Sequence, residues 1–143
     1  MDPSPEAPLR GRCACGAVQF EITAPMRGAR YCHCHRCQQR TGSAFSVNAE
    51  LDASAYRLLS GADRLAFWQP PDGQAKWFCR DCGGHLYSRR SPDAPVLYVR
   101  LGTIDGDPGV RPQWHQWVSS AAPWEPLPDD GLPRHADGPR QAR

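Results

Sequence analysis

The sequence predicts a mainly β domain, and three observations predict it. Apolar residues alternate with period two over short stretches. Fifteen prolines and thirteen glycines in 143 residues break the chain into many turns. The strand candidates between those turns are fairly evenly spaced, the pattern of an all-β sandwich or open barrel. The length suits one domain with a modest core and is too short for two.

Residues 1–10 are proline-rich and are expected to form a flexible N-terminal tail. Residues 11–127 form the expected domain. Residues 128–143 turn to Pro, Asp, Gly and Arg, with little to bury, and read as a flexible C-terminal tail. Within the domain, Val18, Phe20 and Ile22 share one face of a strand, and Phe45, Val47, Ala49 and Leu51 share one face of another. Tyr56 to Leu59 is a short strand closed by Ser60-Gly61. Leu65 to Gln69 and Lys76 to Cys79 flank the turn Pro70-Pro71-Asp72-Gly73. Val96 to Leu101 is a strong apolar run, and Trp114 to Val118 a shorter one. The single helical piece runs from about Arg36 to Thr41, with Gly42 as its stop. Aromatics such as Phe67, Trp68, Trp77, Phe78, Trp114, Trp117 and Trp124 fall in or beside strands and read as core, with one or two free to wall a pocket.

Composition narrows the function classes. No stretch approaches the roughly 18 consecutive apolar residues of a membrane span. Met1-Asp2-Pro3-Ser4-Pro5-Glu6 lacks the basic and apolar regions of a signal peptide, so the expected location is cytoplasmic. The formal charge is +2, and all basic residues but Lys76 are arginines. With no basic aromatic stripe, neither a nucleic-acid nor a membrane partner is expected. One stretch stands apart: from Ile22 to Ala49 there are Arg27, Arg30, Arg36 and Arg40 and no acid. It suits an anionic ligand, or else a solvated face that balances nearby thiolates.

The seven cysteines fall in three groups: Cys13-Ala14-Cys15, Cys32-His33-Cys34-His35-Arg36-Cys37, and Cys79-Arg80-Asp81-Cys82. The odd number and a reducing location argue against disulfides and for metal. On an extended segment Cys13 and Cys15 point to one face. Gly16 and Gly83-Gly84 let backbone N–H groups wrap the sulfurs. Cys13, Cys15, Cys79 and Cys82 would make a closed four-thiolate zinc site that contributes folding free energy. Cys32, Cys34 and Cys37 leave a fourth position for His33, His35, water or a substrate thiol. If Cys32–Cys34 is extended, His33 points away, whereas His35 inside the turn is less easily excluded. Iron also accepts thiolates, and zinc is preferred on ligand softness. A three-thiolate zinc suits a fourth sulfur held deprotonated, which points to thiol chemistry.

These motifs resemble the glutathione-dependent formaldehyde-activating enzyme (GFA) family, also called centromere-protein-V-like. The match rests on Gly11-Arg12-Cys13-Ala14-Cys15-Gly16-Ala17-Val18, on Cys32 to Gln38 with Thr41-Gly42-Ser43-Ala44-Phe45, on Phe78-Cys79-Arg80-Asp81-Cys82-Gly83 and on Pro123-Trp124. It covers roughly Leu9 to Leu132. The resemblance implies a zinc-stabilised Mss4-like fold of several small antiparallel sheets. It implies two Zn2+ per chain: a structural zinc on Cys13, Cys15, Cys79 and Cys82, and a catalytic zinc on Cys32, Cys34 and Cys37. It also implies a carbon–sulfur lyase that joins formaldehyde to glutathione, as in S-(hydroxymethyl)glutathione synthase. The expected partner is therefore a small-molecule thiol such as glutathione, or its aldehyde adduct. His35, or His33, is the candidate acid or base by position. Arg36 and Arg40 are candidates for substrate carboxylates, and His85 reads as structural. The alternative is a non-catalytic zinc module that binds a protein partner.

Overall fold

Val18, Phe20 and Ile22 are fully buried, and the alternation that marks them builds strand β2 (Gln19–Ile22). The computed structural model describes residues 2–138; Met1 and the last five residues of the expected C-terminal tail lie outside the described range. β2 is the middle of a three-stranded antiparallel sheet, between β1 (Leu9–Arg12) and β5 (Tyr56–Ser60). β1 begins at Leu9, so residues just inside the expected N-terminal tail already pair with β2.

The second sheet has seven strands. In chain order they are β3 (Arg27–Cys32), β4 (Ser46–Asp52), β6 (Leu65–Trp68), β7 (Ala75–Cys79), β8 (His85–Arg89), β9 (Val96–Arg100) and β10 (His115–Gln116). In space the order is β10-β3-β4-β9-β8-β7-β6. Every ladder is antiparallel except the two-residue β10–β3 pairing, which is parallel. The mainly β expectation therefore holds. The strands gather into one large sheet and one small one.

One face of the large sheet is apolar. Ala49, Val99, Tyr87 and Trp77 pair across four neighbouring strands, and Trp77 stacks on Tyr87 and Phe67. The small sheet closes over this face: Phe20 stacks on Tyr56 at 4.5 Å, and Tyr56 meets Tyr87 edge-on at 5.0 Å. Burial of these rings and of Ile22, Leu51, Leu86 and Val99 supplies the main driving force of the fold.

The other face is polar, and the register explains why. Cys32 pairs with Ser46. Arg30, Asn48 and Arg100 form one row across β3, β4 and β9. Tyr98, Ser88 and Lys76 form another across β9, β8 and β7. Paired residues project to the same side of a sheet, so these side chains line up on one surface. It is the floor of a cavity.

The helical piece is α1 (His35–Thr41). The Cys34 sulfur caps its start, and Gly42 ends it in the left-handed region at φ 67. Part of the C-terminal segment, residues 133–137, is bonded to the β10 region. Pro133 and His135 bond the His115 backbone, and residues 135–137 bond Trp117, Val118 and Ser119. Gly138 lies against the Trp117 indole, so that a Cβ there would meet Nε1 at 2.8 Å. These bonds hold residues 133–138 where composition suggests a tail. Trp117 itself has φ 58, which ends the strand expected over Trp114 to Val118 after two residues.

Candidate functional site

The first cysteine cluster brings Cys13 and Cys15, from the β1–β2 turn, to Cys79 and Cys82, from the β7–β8 hairpin. Their four sulfurs lie within 4.8 Å of one another. Cys13–Cys15 is a tight turn, closed by Gly16 N–H on the Cys13 carbonyl at 3.1 Å, and not the extended pair expected from sequence. The sulfurs converge nonetheless, at 3.7 Å for Cys13–Cys15 and 3.8 Å for Cys15–Cys79. A tetrahedron with zinc–sulfur bonds of about 2.3 Å has edges of about 3.8 Å, so the donor set fits zinc. Val18 N–H donates to the Cys13 sulfur at 3.3 Å and Gly84 N–H to Cys82 at 3.4 Å, as thiolate ligands require.

The second cluster gathers Cys32 at the end of β3, Cys34 before α1 and Cys37 in its first turn, again within 4.8 Å. Neither His33 nor His35 joins this set. Cys37 N–H donates to the Cys34 sulfur and the Ser46 hydroxyl to the Cys37 sulfur, both at 3.3 Å. Gln38 spans the loop, donating to the carbonyls of His33 and Ser120 at 2.8 Å each. The thiols compete for protons. Hydrogen bonds from Cys32 and Cys34, then Ser46 and the nearby Arg100 charge, pull Cys37 down to about 2, while hydrogen bonding to Cys34 and Cys37, then burial, pushes Cys32 up. Three such sulfurs suit a soft divalent cation with one ligand position left over.

His33 turns away, as an extended Cys32–Cys34 dictates. It is buried, and its Nε2 lies 2.8 Å from His115 Nδ1; His115 Nε2 lies 2.8 Å from Asp130. Burial first, then the His115 charge, lowers the His33 pKa. Asp130 accepts from His115 Nε2–H, leaving His115 Nδ1 to accept from His33 Nε2–H. The chain ties the C-terminal segment to the cysteine loop. His35 is exposed and lines the cavity. His85 opens β8, half-buried; burial, then Arg40 and Arg100, pulls it down to about 4.

The cavity beside the second cluster has a volume of about 680 Å³. Cys32, Cys34 and Cys37 lie in its wall, with Trp117 and Tyr98 among its aromatics. Arg30, Arg36, Arg40, Lys76, Arg90 and Arg100 also line it, against one acid, Asp72. Arg36 is paired with that acid at 2.8 Å, and Arg30 with Glu50. Arg27 is spent on Asp52, at 3.0 Å. Three of the four arginines in the acid-free stretch thus reach the cavity. Lys76, Arg90 and Arg100 were not singled out from sequence. For Lys76 and Arg100 the signal was the alternate, polar face of strands recognised by their apolar face; Arg90 follows β8, which no sequence pattern marked.

The GFA family profile, described as glutathione-dependent formaldehyde-activating enzyme, matches residues 8–120. A Penicillium rubens protein is 27% identical over 115 residues, covering 78% of this chain and 60% of that protein. An Emericella nidulans protein is 30% identical over 122 residues, covering 81% and 62%. Both carry the family's name, and this chain spans about three-fifths of their length. A solved Rhodobacter sphaeroides protein superposes with a TM-score of 0.58 at 25% identity, covering 88% of this chain and 98% of that one. The chain belongs to the glutathione-dependent formaldehyde-activating enzyme family.

Proposed function

We propose that this family member is a zinc-dependent carbon–sulfur lyase of the S-(hydroxymethyl)glutathione synthase type, acting on a thiol and an aldehyde or on their adduct. One contrast carries the reading. Four cysteines form a closed set between two turns, whereas three form an incomplete set in the wall of a cationic cavity. We assign a structural zinc to Cys13, Cys15, Cys79 and Cys82, and a catalytic zinc to Cys32, Cys34 and Cys37. A zinc ion on the three cysteines supplies one open position that suits a substrate sulfur and favours its thiolate near neutral pH.

The chain's own residues do the rest. The Ser46 hydroxyl and the Cys37 N–H hold the ligand sulfurs in place. The cationic wall draws an anionic thiol such as glutathione toward the cysteines. In the forward direction the substrate sulfur bonds to the aldehyde carbon. The carbonyl electron pair moves to oxygen, which takes up one proton, so thiol plus aldehyde gives hydroxyalkyl thioether. The reverse step breaks the same bond. His35, exposed at the cavity and adjacent to Cys34, is the residue assigned to move that proton; His33 is committed to His115.

The test pairs elemental analysis with exchange kinetics. Glutathione and formaldehyde combine unaided, so NMR exchange measures acceleration over that background. The parent is expected to hold two zinc ions per chain and to accelerate exchange. Cys34→Ser is expected to hold one, keep its circular dichroism spectrum and lose the acceleration. Equal metal in both proteins, or no acceleration by the parent, overturns the reading.

A further inference from the structure

We infer that Arg100, Lys76 and Arg40 form an anion subsite in the cavity wall, which takes an oxyanion, carboxylate or phosphate, carried by the substrate. The inference rests on the proposed thiol chemistry and names its substrate class as anionic thiols and their adducts.

Arg100 is the key observation. It lies on the cavity face of β9, in the centre of the seven-stranded sheet, and is only 9% exposed. Its Nη1 is shared between the Ser88 hydroxyl and the Tyr98 carbonyl, both at 3.2 Å. Its Nε–H is buried and has no acceptor among the described residues. A buried guanidinium with an unmade donor is costly unless something completes it. Lys76 lies in the Ser88–Tyr98 row of the same floor, and Arg40 faces the cavity from α1. Neither has an acid within ion-pair distance among the described residues, whereas Arg30 and Arg36 each have one. Burial first, then repulsion from Arg100, pulls Lys76 down to about 8 and Arg40 to about 10. An oxyanion among them would relieve both strains.

The thiolates alone do not balance this charge. Three thiolates around a divalent cation carry a net −1. Arg40, Lys76, Arg90 and Arg100 are four cations in the cavity wall with no ion-pair partner among the described residues. The surplus calls for a ligand with further negative charge. Among the described lining residues a substrate ammonium finds one acid, Asp72, which Arg36 already engages. The site therefore selects for oxyanions over cations.

The experiment is calorimetric binding of matched probes to the zinc-loaded protein. S-methylglutathione against its diethyl ester tests a carboxylate, and 4′-phosphopantetheine against pantetheine tests a phosphate. At least one charged probe is expected to bind roughly tenfold tighter than its neutral mate. Lys76→Met and Arg40→Gln, both partly exposed and outside the core, should each shrink that gap at least about threefold. Equal affinity within both pairs, or a gap untouched by both variants, overturns the subsite. The two proposals fail separately. A charge gap without accelerated exchange sinks the lyase and keeps the subsite; accelerated exchange with equal binding sinks the subsite and keeps the lyase.

Discussion

Cys13, Cys15, Cys79 and Cys82 come from two turns, with Cys15 and Cys79 separated by 64 residues, whereas Cys32, Cys34 and Cys37 fall within six consecutive residues. The first cluster joins the small sheet to the large one. The second sits between a strand end and a seven-residue helix. Backbone N–H groups donate to the sulfurs of the first; the second adds a serine hydroxyl and a wall of cations. The same sulfur donor thus serves two ends. Where all ligand positions come from the chain and span distant segments, a metal would act as a cross-link. Where one position is left over beside a cavity, it would act on what enters.

The largest effect expected from this contrast is on folding. Cys79→Ser opens the four-sulfur set at a fully buried position. Structural zinc contributes on the order of 10 kcal/mol in small zinc domains, comparable to the whole stability of a domain this size. We expect Cys79→Ser to lose its cooperative thermal transition, while Cys34→Ser keeps one. A cooperative Cys79→Ser would break the comparison.

A smaller effect separates the sites by affinity. Ser46→Ala removes the hydroxyl that donates to Cys37 and leaves the first cluster untouched. Chelator competition should release one metal about 10–100-fold more readily, with the second unchanged. If both metals shift together, the clusters are not independent.

The smallest effect is a pH dependence at His85, on the strand after the Cys79–Cys82 hairpin. Burial holds it near 4, against an ordinary value of 6.5, so the unfolded chain takes up the proton first on acidification. Stability from this source is intact above pH 6.5 and is lost as pH falls toward 4. In His85→Gln that part of the acid sensitivity should vanish from thermal melts between those pH values. What remains belongs to protonation of the metal ligands and of other histidines.

Much of this was legible in the sequence. Val18, Phe20 and Ile22, the pair Ala49 and Leu51, and the run Val96 to Leu101 announced their strands because one face meets a core. Gly42 announced the helix end. The seven cysteines announced by spacing the two clusters the fold assembles. β3 and β8 were missed for a common reason. Arg30 and Cys32, like Ser88, face the cavity, so these strands lack the apolar run that marks a fully buried one. The cavity floor was hidden because Arg100 and Lys76 come to one surface only through the register of β9, β8 and β7, which no local pattern states. The backbone bonds from residues 133–137 to His115, Trp117, Val118 and Ser119 were not legible, because composition does not report backbone bonds.

The long span of the four-cysteine clamp has a consequence for synthesis. Cys37 emerges from the ribosome 45 residues ahead of Cys82. At roughly 5–20 residues per second that is an interval of about 2–9 s. Throughout it the nascent chain already carries a complete three-thiol set, with no clamp and no finished sheet around it. Cys13 and Cys15 emerge earlier, but as half a set, so translation order makes the three-cysteine loop the first complete group of sulfurs to meet metal. A chain stalled with its emerged portion ending between residues 38 and 78 would display these three thiols before Cys79 and Cys82 can join Cys13 and Cys15.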